Sequence, residues 1–252
     1  MTRVEWPTLA RILAWILAVS FVIGAIVFAV FAFELLGHSQ EFQPDFIEGI
    51  LDQFEVDQAR WPLDFAGAAM LVIGFLALAG LGPVMGRLTN AGDARRGLLT
   101  ASFLGAGGLG AASQLLYIGV KPVATSTQYC DCGLLAEEIM ARLMILNVAG
   151  SVEVSLISGA LITIVVGLVV AGTVGRDAGM PAAWLGLSLA IAALAPVAAI
   201  LALLYLYPFD VLLFLLVAGL LVPIWAVWLA VRARDVWPQE DDAEGEVEFA
   251  QG

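Results

Sequence analysis

The sequence predicts an all-α polytopic membrane protein: six transmembrane helices, with one or two amphipathic interfacial helices on the outer face. Three observations predict it. Hydrophobic residues make up 61% of the 252 and charged residues 13%, where a water-soluble domain carries about 45–50% and about 25%. The apolar residues fall in six runs, each able to cross the ~30 Å hydrocarbon core that about 20 residues of helix span. The basic residues concentrate between alternate runs. Mean hydropathy is +0.95. This composition excludes an ordinary soluble enzyme, a disordered chain and a disulfide-rich module. A net charge of −12 excludes a nucleic-acid binder, which needs a basic footprint.

The first run, 9–36, is about twice the ~7–15-residue apolar stretch of a cleaved signal and reads as a retained span. The others cover 62–86, 97–120, 143–175, 181–207 and 209–230. In lipid the peptide groups must be satisfied within the segment, so each run is a helix. Between the first two, Phe42, Phe46, Ile47, Ile50, Leu51 and Phe54 recur at helical spacing after Pro44, which predicts an amphipathic surface helix. A second such stretch, 134–143, leads into span four, with Glu138 and Arg142 spaced to pair at i,i+4. Pro196 and Pro223 are expected to interrupt spans five and six, freeing the carbonyls of Ala192 and Gly219. Trp184, Trp225, Trp228 and Tyr205 suit interfacial or packing roles.

Placing the N-terminus inside puts Arg3, Arg11, Arg87, Arg95, Arg96, Arg176, Arg232 and Arg234 on the inner side, against Arg60, Lys121 and Arg142 outside. The positive-inside rule therefore predicts a plasma-membrane protein with both termini cytoplasmic. Residues 1–234 form the membrane domain, and 235–252 an acidic, disordered cytoplasmic tail. Cys130 and Cys132 then lie outside, a possible disulfide or redox pair, although a bridge across one residue is strained. With His38 the only histidine, no metal site is expected.

Gly105, Gly107, Gly108 and Gly110 spell G-x-G-x-x-G, but inside an apolar span, where small residues serve close helix packing. In span four, Asn147, Ser151, Ser155 and Ser158 fall within an ~80° stripe, read either as hydrogen-bonding glue between helices or as the wall of a polar path. Glu153 points some 120° away from that stripe. It is either a buried functional carboxylate or an ordinary group at the outer interface. Gln114 and Tyr117 in span three and Asp64 in span two reach the same depth. Together with Glu153 and the stripe they form the one candidate site, a polar cluster in the outer leaflet. No catalytic residue, nucleophile–base pair or cofactor motif is visible.

Arg176 to Gly186 (RDAGMPAAWLG) and the first-span entry Ala10-Arg11-Ile12-Leu13-Ala14 resemble recurring features of a bacterial and archaeal family of six-span membrane proteins known only as a domain of unknown function. The resemblance implies topology and transfers no catalytic residue. Three functions are open. The first is a non-enzymatic membrane subunit or scaffold, its partners the bilayer, other membrane subunits or a basic protein at the acidic tail. The second is a carrier of a small solute, ion or proton using the polar cluster around Glu153. The third is an intramembrane enzyme.

Overall fold

Apolar runs of this length satisfy their peptide groups through the i→i−4 ladder, and the described residues are built from it almost throughout. The structure, a computed structural model, describes residues 5–37, 46–88, 92–125, 136–204, 206 and 209–236. Helix α1 covers Trp6–Gly37, α2 Phe46–Leu88, α3 Asp93–Thr125, α4 Ala136–Asp177 and α5 Ala182–Leu203. The sixth span is composite: α6 (Phe209–Phe214), a π-helical turn (Leu215–Leu221) and α7 (Val222–Val236). Six helical segments are long and apolar enough to cross a membrane, and the chain is a multi-pass membrane protein.

Each helix packs against the next in sequence, and the sixth span closes the ring against α1. All the helix ends near Arg87, Arg95, Arg96, Arg176 and Arg232 therefore share one face of the bundle, the arginine end. There α4 turns into α5 in four residues. Gly179 has φ +96°, its N–H bonds to the Arg176 carbonyl at 3.0 Å, and the Met180 N–H bonds to Gly175 at 2.9 Å. This left-handed cap closes the helix, and Pro181 opens the next. Arg96 Nε donates to the Gly86 carbonyl at 2.9 Å, covering an orphan acceptor at the end of α2. Arg87 lies over the Trp6 ring at 4.8 Å.

The core fills the half of the bundle toward this end. Leu17, Phe21, Phe75, Leu81, Met85, Phe103, Ile191 and Leu229 are buried in one cluster with Trp184 and Trp225. The two indoles stack at 5.2 Å. Trp225 Nε1 donates to Ser188 Oγ at 2.8 Å, that hydroxyl donates to the Trp184 carbonyl at 2.9 Å, and Trp184 Nε1 donates to the Trp225 carbonyl at 3.3 Å. These two tryptophans are packing anchors with satisfied ring N–H groups, not interfacial ones.

The glycine-rich run of α3 works as a contact surface. A Cβ on Gly107 would fall on the Phe75 carbonyl and Ala79, and one on Gly110 on the Phe75 ring. Gly105 approaches Thr163 of α4, whereas Gly108 faces open space. Outward, large apolar side chains such as Ile26, Val123, Met144 and Val148 are exposed. That is the surface expected of a protein whose solvent is lipid, where close fit and not apolar burial holds helices together.

Two expectations need revision. The predicted surface helix between spans one and two is not a separate element: from Phe46 the backbone continues unbroken through Pro62 to Leu88 as one 43-residue helix. Lacking an N–H, a proline removes one bond from the ladder, and the turns on either side carry the helix through. Pro196 likewise does not interrupt α5. Pro223 does leave a mark, because the turn ahead of it is π-helical and Val222 N–H bonds to Val217. Phe42, Pro44, His38, Cys130, Cys132, Tyr205 and the tail from 237 to 252 lie outside the described residues, while Asp235 and Val236 still belong to α7.

Candidate functional site

Away from the arginine end the bundle opens into a half-enclosed cavity of about 580 Å³. All six spans line it: Gly24, Val27 and Phe28 of α1; Asp64, Gly67, Ala68 and Leu71 of α2; Gln114 and Tyr117 of α3; Asn147, Gly150, Ser151, Glu153, Val154 and Leu161 among others of α4; Ala198 and Ala202 of α5; and Asp210, Val211 and Phe214 of α6. Cavities of roughly 300–1,000 Å³ hold small organic ligands.

Its polar groups form a layer. Asp64 is 23 residues from Arg87, Lys121 25 from Arg96, Glu153 23 from Arg176 and Asp210 22 from Arg232. At 1.5 Å per residue these are separations of about 33–38 Å along each helix, just beyond the ~30 Å of hydrocarbon. The layer therefore stands about one membrane thickness away from the arginine end.

Lys121 is the hub of the layer. Its ammonium donates to Asp64 Oδ2 at 2.8 Å and to the Tyr117 hydroxyl at 2.8 Å, and lies 3.7 Å from Asp57 Oδ1. The Tyr117 hydroxyl donates to Asp64 Oδ2 at 3.3 Å. Lys121 and Asp64 are only 8% and 7% exposed, so a charge in this place requires partners. Two hydrogen-bond acceptors and a second carboxylate surround the ammonium. The spacing explains the geometry: Tyr117 and Lys121 are four residues apart on α3, and Asp57 and Asp64 seven apart on α2, each pair on one face. Thr125 Oγ1 donates to the Lys121 carbonyl at 2.9 Å, and the Trp61 ring lies 6.4 Å from that of Tyr117.

Of the cluster predicted from sequence, Asp64, Gln114, Tyr117, Asn147, Ser151 and Glu153 do line one cavity. The serine stripe divides. Ser151 and Ser155 donate to their own helix, at the carbonyls of Asn147 (2.9 Å) and Ser151 (2.8 Å). Only Ser158 crosses to another helix, donating to Ala199 of α5 at 3.3 Å from a buried position. Ser155 is exposed and sits in an outward groove beside Val148 and Val152, outside the cavity. Glu153 and Ser151 face the same space although they are some 160° apart around the helix, two residues on at about 100° each. The cavity-facing stripe of α4 centres near Val154 and Leu161, and its two edges carry Ser151 and Glu153.

Three residues of the layer were absent from the sequence reading as site residues: Lys121, Asp57 and Asp210. Asp210 is the most telling. Its Oδ1 is shut off from solvent without a hydrogen-bond partner, the one such buried side-chain atom among the described residues. It lies four residues before Phe214, whose ring packs edge-on to Phe28 at 5.5 Å.

Toward the arginine end the cavity closes. One to two turns deeper lies a void of about 40 Å³ with no polar lining, bounded by Phe21, Phe75, Leu161, Ile164, Ile191 and Trp225 among others. The arrangement defines a membrane protein with a polar chamber open on one side and an apolar plug on the other. No family model matches the chain, and neither a curated protein nor a solved structure does.

Proposed function

We propose that the protein is a carrier of a small solute in the plasma membrane, both termini cytoplasmic, its chamber facing outward. The single observation that carries this reading is a cavity of about 580 Å³ to which every span contributes a wall. A scaffold has no use for such a space, and helices that serve only to pack together close it. The arginine end supports the orientation through the positive-inside rule. The apolar plug between chamber and arginine end supports a carrier rather than an open pore, since the bundle must change shape before the solute passes. The π-helical turn of span six lies beside that plug, with Val217 and Ala218 in its wall. Glu153 is the group that links this reading to measurement.

The test is uptake by proteoliposomes of labelled small amines, carboxylic acids and neutral polar solutes, with proton movement followed by an internal dye. Saturable uptake of one class above empty liposomes is expected, reduced about tenfold or more by Glu153→Gln, which takes away a charge-assisted contact. Uptake equal to empty liposomes for every class, or the same in the variant, overturns the proposal.

A further inference from the structure

We infer that the ligand of this chamber is an organic cation with an apolar body. The inference rests on the reading of the chamber as a solute site and adds the chemistry of the solute.

Charge comes first. Among the described residues no Arg, Lys or His lines the cavity, while Asp64, Glu153 and Asp210 do. Lys121 is not a lining residue, and its ammonium is hydrogen-bonded to Asp64 and Tyr117 and lies 3.7 Å from Asp57. An anionic solute would meet three carboxylates and, among the described lining residues, no group of opposite charge. A cation meets Glu153 on α4 and Asp210 on α6, which face the space from two separate helices.

The second observation is Asp210 itself. A buried carboxylate oxygen without a hydrogen bond is costly, and Asp210, which carries one, is among the residues that line the chamber. A positive charge on a bound molecule offsets part of that cost through its attraction to the carboxylate as a whole. Four residues on, at the next turn of the same span, the edge-to-face pair Phe214 and Phe28 lines the wall. Aromatic faces beside a carboxylate are the usual surroundings of a bound ammonium group.

The third observation separates an organic cation from a metal ion. No three of the described His, Cys, Asp and Glu side chains come together as metal ligands. The carboxylates are spread around walls that also carry Gln114, Tyr117, Asn147 and Ser151 but are made mostly of Gly, Ala, Leu, Val, Ile and Phe, which accept a hydrocarbon body with one charged end.

The experiment is calorimetric titration of the full-length protein in nanodiscs, with empty nanodiscs subtracted. The probes are 2-phenylethylammonium and tetraethylammonium, with 2-phenylethanol and 3-phenylpropionate as neutral and anionic partners of similar body. At least one ammonium probe is expected to bind about tenfold or more tightly than either comparator. Asp210→Asn and Glu153→Gln are each expected to weaken it about tenfold, and Ser155→Ala, outside the cavity, to leave it unchanged. Binding of neither ammonium probe, equal binding of the alcohol or the acid, or wild-type affinity in Asp210→Asn overturns the inference. Should Asp210→Asn not fold, the ligand series on the unaltered protein and Glu153→Gln decide. Ammonium binding without uptake removes the carrier reading and leaves the cation site standing. Saturable uptake of acids or neutral solutes without ammonium binding does the reverse.

Discussion

The two halves of the bundle use the same helices for opposite ends. Toward the arginine end, stacked indoles, phenylalanines and close glycine contacts fill the interior, and the polar network Trp184–Ser188–Trp225 has its ring N–H groups bonded. Toward the other end, glycine and alanine at Gly150, Ala68 and Ala198 leave space, and charged groups gather around it. The difference teaches where stability and function reside. A membrane protein gains little from burying apolar surface, so the first half must hold the ring together by fit, and that frees the second half to remain hollow.

The comparison is broken most severely at Lys121. Lys121→Met leaves Asp64 and Asp57 in a buried place without their cation, and should cost about 3–5 kcal/mol. Unfolding in detergent, followed by circular dichroism, measures it. Pairing the change with Asp64→Asn should recover much of the loss; a double variant no better than the single one would show that the ion pair is not what the residues contribute.

Next comes the filled half. Gly107→Leu drives a side chain onto the Phe75 carbonyl and Ala79, and overpacking of this kind costs about 1–3 kcal/mol. The same assay should place it below Lys121→Met, and a neutral result would mean that α2 and α3 are free to separate. The smallest stability effect belongs to the hollow half. A Cβ at Gly150 meets nothing within 4 Å, so Gly150→Leu should fold at least as well as the parent, by up to ~1 kcal/mol from reduced backbone freedom. Yet it places four carbons in the chamber. Uptake in proteoliposomes should fall toward that of empty ones; unimpaired uptake would take the chamber out of the solute's path.

Much of this was legible in the sequence. Run length and the arginine clusters mark the spans, because lipid leaves an apolar segment so few alternatives. Equal depth along neighbouring spans brings Asp64, Gln114, Tyr117, Asn147, Ser151 and Glu153 to one cavity. What was hidden is angular and relational. Lys121 reads as a loop charge until its partners two helix turns apart on α2 are seen, although its i,i+4 relation to Tyr117 was a signal. Asp210 reads as a turn residue, although it is 22 residues from Arg232, close to the spacing of Asp64 and Glu153 from their own arginines. The stripe of Asn147, Ser151, Ser155 and Ser158 is a single feature on a helical wheel. In the bundle it meets a cavity, an exposed groove and helix α5, because a helix in a ring touches different neighbours on its two sides.

The unbroken length of α2 and α4 has a mechanical consequence. Phe46–Leu88 and Ala136–Asp177 both run on for about 25–27 Å past Asp64 and Glu153 at 1.5 Å per residue. They are stiff rods with the acidic layer near the fulcrum. A tilt of about 10° in either rod carries its far end sideways by about 5 Å while the carboxylate hardly moves. Whatever displaces those far ends has leverage on the chamber's mouth without ever entering it.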